Sequence, residues 1–187
     1  FGEALDERWT DTNCYWLTWN GGTPRRMAPR PAGGGENLTT CPVVARFETN
    51  REYGYIFATT ETGELNPWFW GTAKPQRDLT VTLNLPALAP GTGPARVTVA
   101  VRGRTFDLAA NPDHHVVCLW AGQPLAEARF DSQESCLLTG EVPATALAPQ
   151  GNELTLRVPG DTAAKDVDQV YLDWVEVRYV RHLEAGN

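Results

Sequence analysis

Lysine, methionine, long apolar runs and helical periodicity are all scarce in this 187-residue chain. Lys74 and Lys165 are the only lysines among sixteen basic residues. With the many Ala and Pro, that bias reads as the imprint of a GC-rich genome rather than of a function. No window carries a long amphipathic helix with capping residues. No apolar run approaches the ~20 residues that cross a bilayer as a helix, so no membrane span is expected. Basic residues cluster only at Arg25, Arg26 and Arg30, and the formal net charge is −7. Binding to a phosphate backbone draws its affinity from counterions released by a basic surface, so nucleic acid is excluded as a partner. There is no CxxC pair for a zinc knuckle or a thioredoxin-like site. There is no G-x-S-x-G elbow either, and no charged-then-apolar start of the signal-peptide kind. The chain starts at Phe1 and stops three residues after Glu184. It is expected to be a piece of a larger extracellular protein, with a leader or upstream region removed.

What the sequence does contain is period-two alternation. Leu79, Val81, Leu83 and Leu85 alternate with polar residues, and Val97, Val99 and Val101 do the same. That spacing marks strands with one buried face. His114-His-Val-Val-Cys-Leu-Trp120, the turn signal Ala121-Gly122-Gln-Pro124 and the segment 125–130 predict a hairpin. Leu154, Leu156 and Val158 predict another strand, and residues 170–179 form a run rich in β-branched and aromatic residues. Near the start, residues 14–19 predict a strand and residues 20–35, with three prolines and five glycines, a long surface loop. Residues 43–62 are ambiguous, with a short helical turn expected over 46–53. Glu134 and Glu141, the only paired carboxylates that stand out, are expected in a loop. Short strands joined by turns, without an internal repeat or a linker, predict one all-β sandwich domain over 1–187. Its two sheets would pack ~10 Å apart.

The four cysteines, Cys14, Cys41, Cys118 and Cys136, allow three pairings. The favoured pairs are 14–41, across the Pro/Gly-rich loop, and 118–136, across the hairpin; both suit an extracellular compartment. The alternative is buried free thiols that pack as small hydrophobes. His114 and His115 close to Cys118 raise the question of a Cys–His nucleophile. Four residues along a strand span about 13 Å at ~3.3 Å per residue, too far for proton transfer between 114 and 118, and His115 points to the other face. Asp113, His114, His115 and Asp131 are possible zinc ligands without a supporting i,i+4 helical pair.

Several motifs resemble known ones. Leu147-Ala-Pro-Gln-Gly-Asn-Glu-Leu-Thr-Leu156 and Val170-Tyr-Leu-Asp-Trp-Val-Glu-Val177 resemble the closing strands of galactose-binding-like jelly rolls. His114-His-Val-Val-Cys-Leu-Trp-Ala-Gly122 resembles the matching hairpin, with Ala121 where Asn is usual. Arg8-Trp-Thr-Asp-Thr-Asn-Cys-Tyr-Trp-Leu-Thr-Trp19, Phe47-Glu48 with Tyr53, Trp68-Phe-Trp70 and Arg178-Tyr-Val-Arg-His-Leu183 follow in one order. That order is similar to the β-sandwich region preceding the catalytic domain of gingipain-like cysteine peptidases. The resemblance implies a non-catalytic accessory domain, secreted or at a bacterial cell surface, whose partner is a downstream peptidase domain of the same chain. The catalytic His and Cys of that family belong to the later domain. Cysteines at 14 and 118 depart from the family pattern.

The galactose-binding-like resemblance also implies a possible structural Ca²⁺, with Glu3, Asp6, Asp11 and Asp173 as candidate ligands. Calcium takes six to eight oxygens, many of them carbonyls a sequence does not reveal. Seven tryptophans suggest an alternative function, a carbohydrate-binding module, because sugars stack their C–H faces on aromatic rings. Trp9, Trp19, Trp68 and Trp70 border loops and are the candidates for contact with a glycan or a protein substrate. Trp16 and Trp174 are expected in the core. Trp68 and Trp70 share one face of an extended segment, and Phe69 takes the other.

Overall fold

A computed structural model describes residues 38–55, 67–91, 93–165 and 167–183. The strand expected at 14–19 and the loop at 20–35 lie outside the described residues. Eleven strands are formed among the described ones: β1 (Thr40–Glu48), β2 (Glu52–Tyr53), β3 (Trp68–Phe69), β4 (Gly71–Ala73), β5 (Leu79–Leu83), β6 (Ala95–Gly103), β7 (His114–Trp120), β8 (Gln123–Phe130), β9 (Ser135–Val142), β10 (Asn152–Arg157) and β11 (Val170–His182). A 3₁₀ turn at Ala144–Ala146 precedes β10.

One sheet runs β1-β11-β6-β9, with β4 joining the same strand β11; the other runs β5-β10-β7-β8. All their pairings are antiparallel. The sheets face each other through one core that joins Val97, Val99 and Val101 of β6 and Leu172, Val175 and Val177 of β11 to Val116 and Cys118 of β7 and Leu154 and Leu156 of β10. The result is the all-β sandwich that the alternating segments predict, in the jelly-roll arrangement that the resemblance implies. Burial of a side chain of this size stabilises the fold by about 1.5–3 kcal/mol, so the two inner faces supply the main driving force.

Several details differ from expectation. The helical turn expected over 46–53 is absent: Phe47 packs inward from β1, which pairs with β11 through Glu48↔Trp174. Glu141 lies in β9 rather than a loop, opposite Arg96 of β6. Trp174 is not a core residue. The inward positions of β11 are Val170 and Leu172, then Val175, Val177 and Tyr179, because a register shift between Leu172 and Val175 reverses the alternation. Trp174 falls within that irregularity and is only half-buried, with the Arg46 guanidinium 4.3 Å from its ring centre.

The same strand builds a second layer on its outer face. Tyr171, between inward Val170 and Leu172, points away from the main core and stacks on Phe69 at 4.1 Å between ring centres. Phe69 comes from the β2–β3 ribbon, so this small ribbon lies over the outer face of the larger sheet, beside β4.

Candidate functional site

Beneath one end of the sandwich lies a buried polar network. His114 opens β7 and is fully buried. Its Nδ1 lies 2.7 Å from Asp168 Oδ1 and its Nε2 3.0 Å from the Thr105 carbonyl oxygen. Both nitrogens therefore meet acceptors, an arrangement that the doubly protonated imidazolium satisfies and a neutral ring does not. Burial pushes the His114 pKa down, but the hydrogen bond and charge of Asp168, the charge of Asp113 and the Thr105 carbonyl together raise it above its ordinary value. Asp113 accepts from the backbone N–H of Asp107 and of Ser132, each at 2.8 Å. Gly103 is glycine for a steric reason here: a Cβ would sit 2.5 Å from His114 Nε2 and closer still to the Ser132 carbonyl. The network thus fixes the loop after β6 and the segment before β11.

Those two segments carry Arg104 and Gln169 into a surface groove. The Arg104 N–H donates to the Gln169 carbonyl at 2.9 Å, and the Gln169 N–H donates to Thr105 Oγ1 at 3.1 Å. Two adjoining cavities of about 350 and 370 Å³ share Arg104 and Gln169 in their walls. Glu52, Thr72, Lys74, Arg77 and Asp78 line the first; Tyr53, Tyr55, Thr105 and Tyr171 line the second. At their junction Arg104 Nη1 donates to Glu52 Oε1 at 2.6 Å and to Thr72 Oγ1 at 3.0 Å, and Thr72 donates to Glu52 Oε2 at 2.7 Å. The Arg104 guanidinium also lies 5.2 Å from the centre of the Tyr171 ring. Burial raises the Tyr171 phenol above its usual range, with the Arg104 charge opposing and Glu52 adding to the shift.

The residues singled out in the sequence are dispersed. Cys41, Cys118 and Cys136 are free thiols, so the 118–136 bridge is not formed. Cys118 sits on β7, whereas the chain after β8 crosses to the other sheet before Cys136 on β9, opposite Val101 of β6. Cys14 lies outside the described residues, and Cys41 is a free thiol on β1, so the 14–41 pairing is not seen either. Burial pushes the Cys118 thiol up to about 12, the opposite of what a nucleophile needs. His115 is engaged elsewhere, with Nδ1 2.7 Å from Asp161 Oδ1, whose other oxygen accepts from Arg129 at 2.8 Å.

Trp19 lies outside the described residues. Trp68 is half-buried and meets Tyr53 edge-on at 4.9 Å, and Trp70 packs against the main core. The more open rings are Tyr53 and Tyr55, 40% and 73% exposed. The segment Glu-Tyr-Gly-Tyr at 52–55 is where the sequence carries that signal. Of the calcium candidates, Glu3, Asp6 and Asp11 lie outside the described residues. Asp173 is coupled to Arg102, a guanidinium that burial lowers and Asp173 raises. No group of three or more His, Cys, Asp or Glu is placed to hold a metal among the described residues.

No family model and no curated protein sequence matches the chain. Among solved structures it is similar to dimeric latent PorU from Porphyromonas gingivalis, at 15% identity and a TM-score of 0.54 over 81% of this chain. The chain spans 14% of the PorU length. It is also similar to the CBM36-1 domain of a multidomain xylanase from the hindgut metagenome of Trinervitermes trinervoides (11% identity, TM-score 0.43, 79% of this chain and 100% of that one). A carbohydrate-binding module CBM36 in complex with calcium and xylotriose follows (9% identity, TM-score 0.40, 75% and 99%). At these identities the likeness is one of fold.

Proposed function

We propose that the chain is a non-catalytic accessory β-sandwich of a larger, secreted, gingipain-like bacterial protein. Its role is to orient or shield a downstream peptidase domain of the same chain, or to help engage that domain's protein substrate. The observation that carries this reading is the match of fold over most of this chain to one stretch of a far longer protein. The conduct of the motif residues supports it, because they build the scaffold rather than a reaction centre. Asn152, from the Gly-Asn motif, is buried; its Oδ1 accepts from the Ala148 N–H at 2.9 Å, and its Nδ2 donates to the carbonyls of Ala148 and Leu83 at 2.6 and 3.1 Å. Trp120, from the hairpin motif, donates its indole N–H to the Ala146 carbonyl at 3.0 Å. The buried, protonated Cys118 and the doubly engaged His114 fit a domain without a nucleophile of its own.

Sequencing the parent gene tests the proposal. The reading frame is expected to run past Asn187 into a domain that carries a His and Cys dyad. A stop codon soon after Asn187 overturns it.

A further inference from the structure

We propose that the groove between the β2–β3 ribbon, β4 and Arg104 binds an acidic oligosaccharide, with the sugar carboxylate at Lys74 and Arg77 and the ring faces against Tyr53 and Tyr55. The inference stands on the groove alone and goes beyond the accessory reading, whose gene-level test it does not share.

Charge is the first observation. The whole chain is acidic at −7, yet the groove is lined by three cations, Lys74, Arg77 and Arg104, against two carboxylates, Glu52 and Asp78. Both carboxylates are already engaged: Glu52 by Arg104, and Asp78 by the Nε and Nη2 of Arg157 at 3.0 and 2.8 Å. Lys74 and Arg77, joined through their backbones across a tight turn, have no carboxylate within salt-bridge distance among the described residues. Two unneutralised cations at one end of a concave wall attract an anion.

Shape and lining give the class. Each cavity is at the small end of the ~300–1,000 Å³ range of ligand pockets. The second is walled in part by the exposed rings of Tyr53 and Tyr55, which present an apolar face and a polar edge together. A pyranose has the same dual character, with C–H bonds on its faces and hydroxyls around its rim. The Gln169 side chain, at the junction of the two cavities, has an amide suited to those hydroxyls. Arg104 cannot shift freely, because Glu52, Thr72 and Gln169 hold it, so the junction is organised before a ligand arrives.

The test is titration calorimetry of the folded protein with oligogalacturonate, with xylo-oligosaccharide of equal length and with a glutamate-rich peptide. Oligogalacturonate is expected to bind saturably, at least tenfold more tightly than the neutral sugar, and less tightly as salt is raised. Lys74→Ala with Arg77→Ala is expected to weaken it at least tenfold, and Tyr55→Ala severalfold. All three side chains are exposed, so circular dichroism should report an unchanged fold. No saturable binding of oligogalacturonate, or binding indifferent to these substitutions, overturns the proposal. Equal binding of the neutral sugar overturns the acidic class, and selective binding of the peptide overturns the saccharide class.

Discussion

His114 shows how a single buried residue links the core to the surface groove. Its two nitrogens are held by Asp168 and by the Thr105 carbonyl, and the residues beside those partners, Gln169 and Arg104, line the groove. With its folded pKa raised, the sign of the linkage is set. The stability that His114 gains from its partners is fully present below the unfolded value, near 6.5, and is lost as pH rises through the folded pKa. A two-dimensional NMR titration is simple, since the chain has three histidines. The His114 resonance is expected to titrate above 6.5, and in Asp168→Asn to titrate lower. A His114 that titrates below 6.5 in the wild-type chain would mean that burial outweighs the carboxylates.

At the scale of the element, the hairpin of β7 and β8 turns through Ala121 and Gly122, with φ of 47° and 77°. Positive φ at both central residues is the signature of a type I′ turn, which favours Asn-Gly. An alanine in this region costs roughly 1–2 kcal/mol. Ala121→Asn is therefore expected to stabilise the protein by about 0.5–1 kcal/mol, seen as a higher urea midpoint at unchanged slope; a lower midpoint would refute the turn assignment. This hairpin was legible from its turn signal, β5, β6 and β10 from an inward face of regular period two, and β11 from its run of β-branched and aromatic residues. β9 was not legible. Its inward positions are Cys136, Leu138, Gly140 and Val142, while Leu137 points out at 62% exposure. Gly140 breaks the apolar alternation because a Cβ there would sit 2.5 Å from the Leu125 carbonyl oxygen. The orientation of Trp174 was hidden for a different reason: a bulge moves every later residue to the opposite face, and period two carries no mark of it. The groove was hidden because it is assembled from four separate stretches of chain, none of which holds a binding motif alone.

On the scale of the whole molecule, the two sheets are held together by apolar contact, and no disulfide crosses between them among the described residues. Cys118 lies in that contact layer, fully buried, with its thiol pushed up to about 12. A reagent that attacks thiolates can then reach it only when the sandwich opens, and at neutral pH almost none of it ionises before that happens. Cys41 and Cys136, each half-buried, are not so protected. In the denatured, unreduced protein at least three thiols are expected to react with a colorimetric disulfide reagent. In the native protein, peptide mapping after labelling should find Cys118 modified last, at a rate that rises with urea in parallel with global unfolding. Two or fewer reactive thiols after denaturation would reveal a bridge and return the 118–136 or 14–41 pairing to consideration. Fast native labelling of Cys118 would show that the sheets part locally, without unfolding of the whole. The distinction bears on the accessory role proposed above, because sheets that part locally, at a lower free energy than global unfolding, would hold a neighbouring domain less rigidly than a core that opens as one unit.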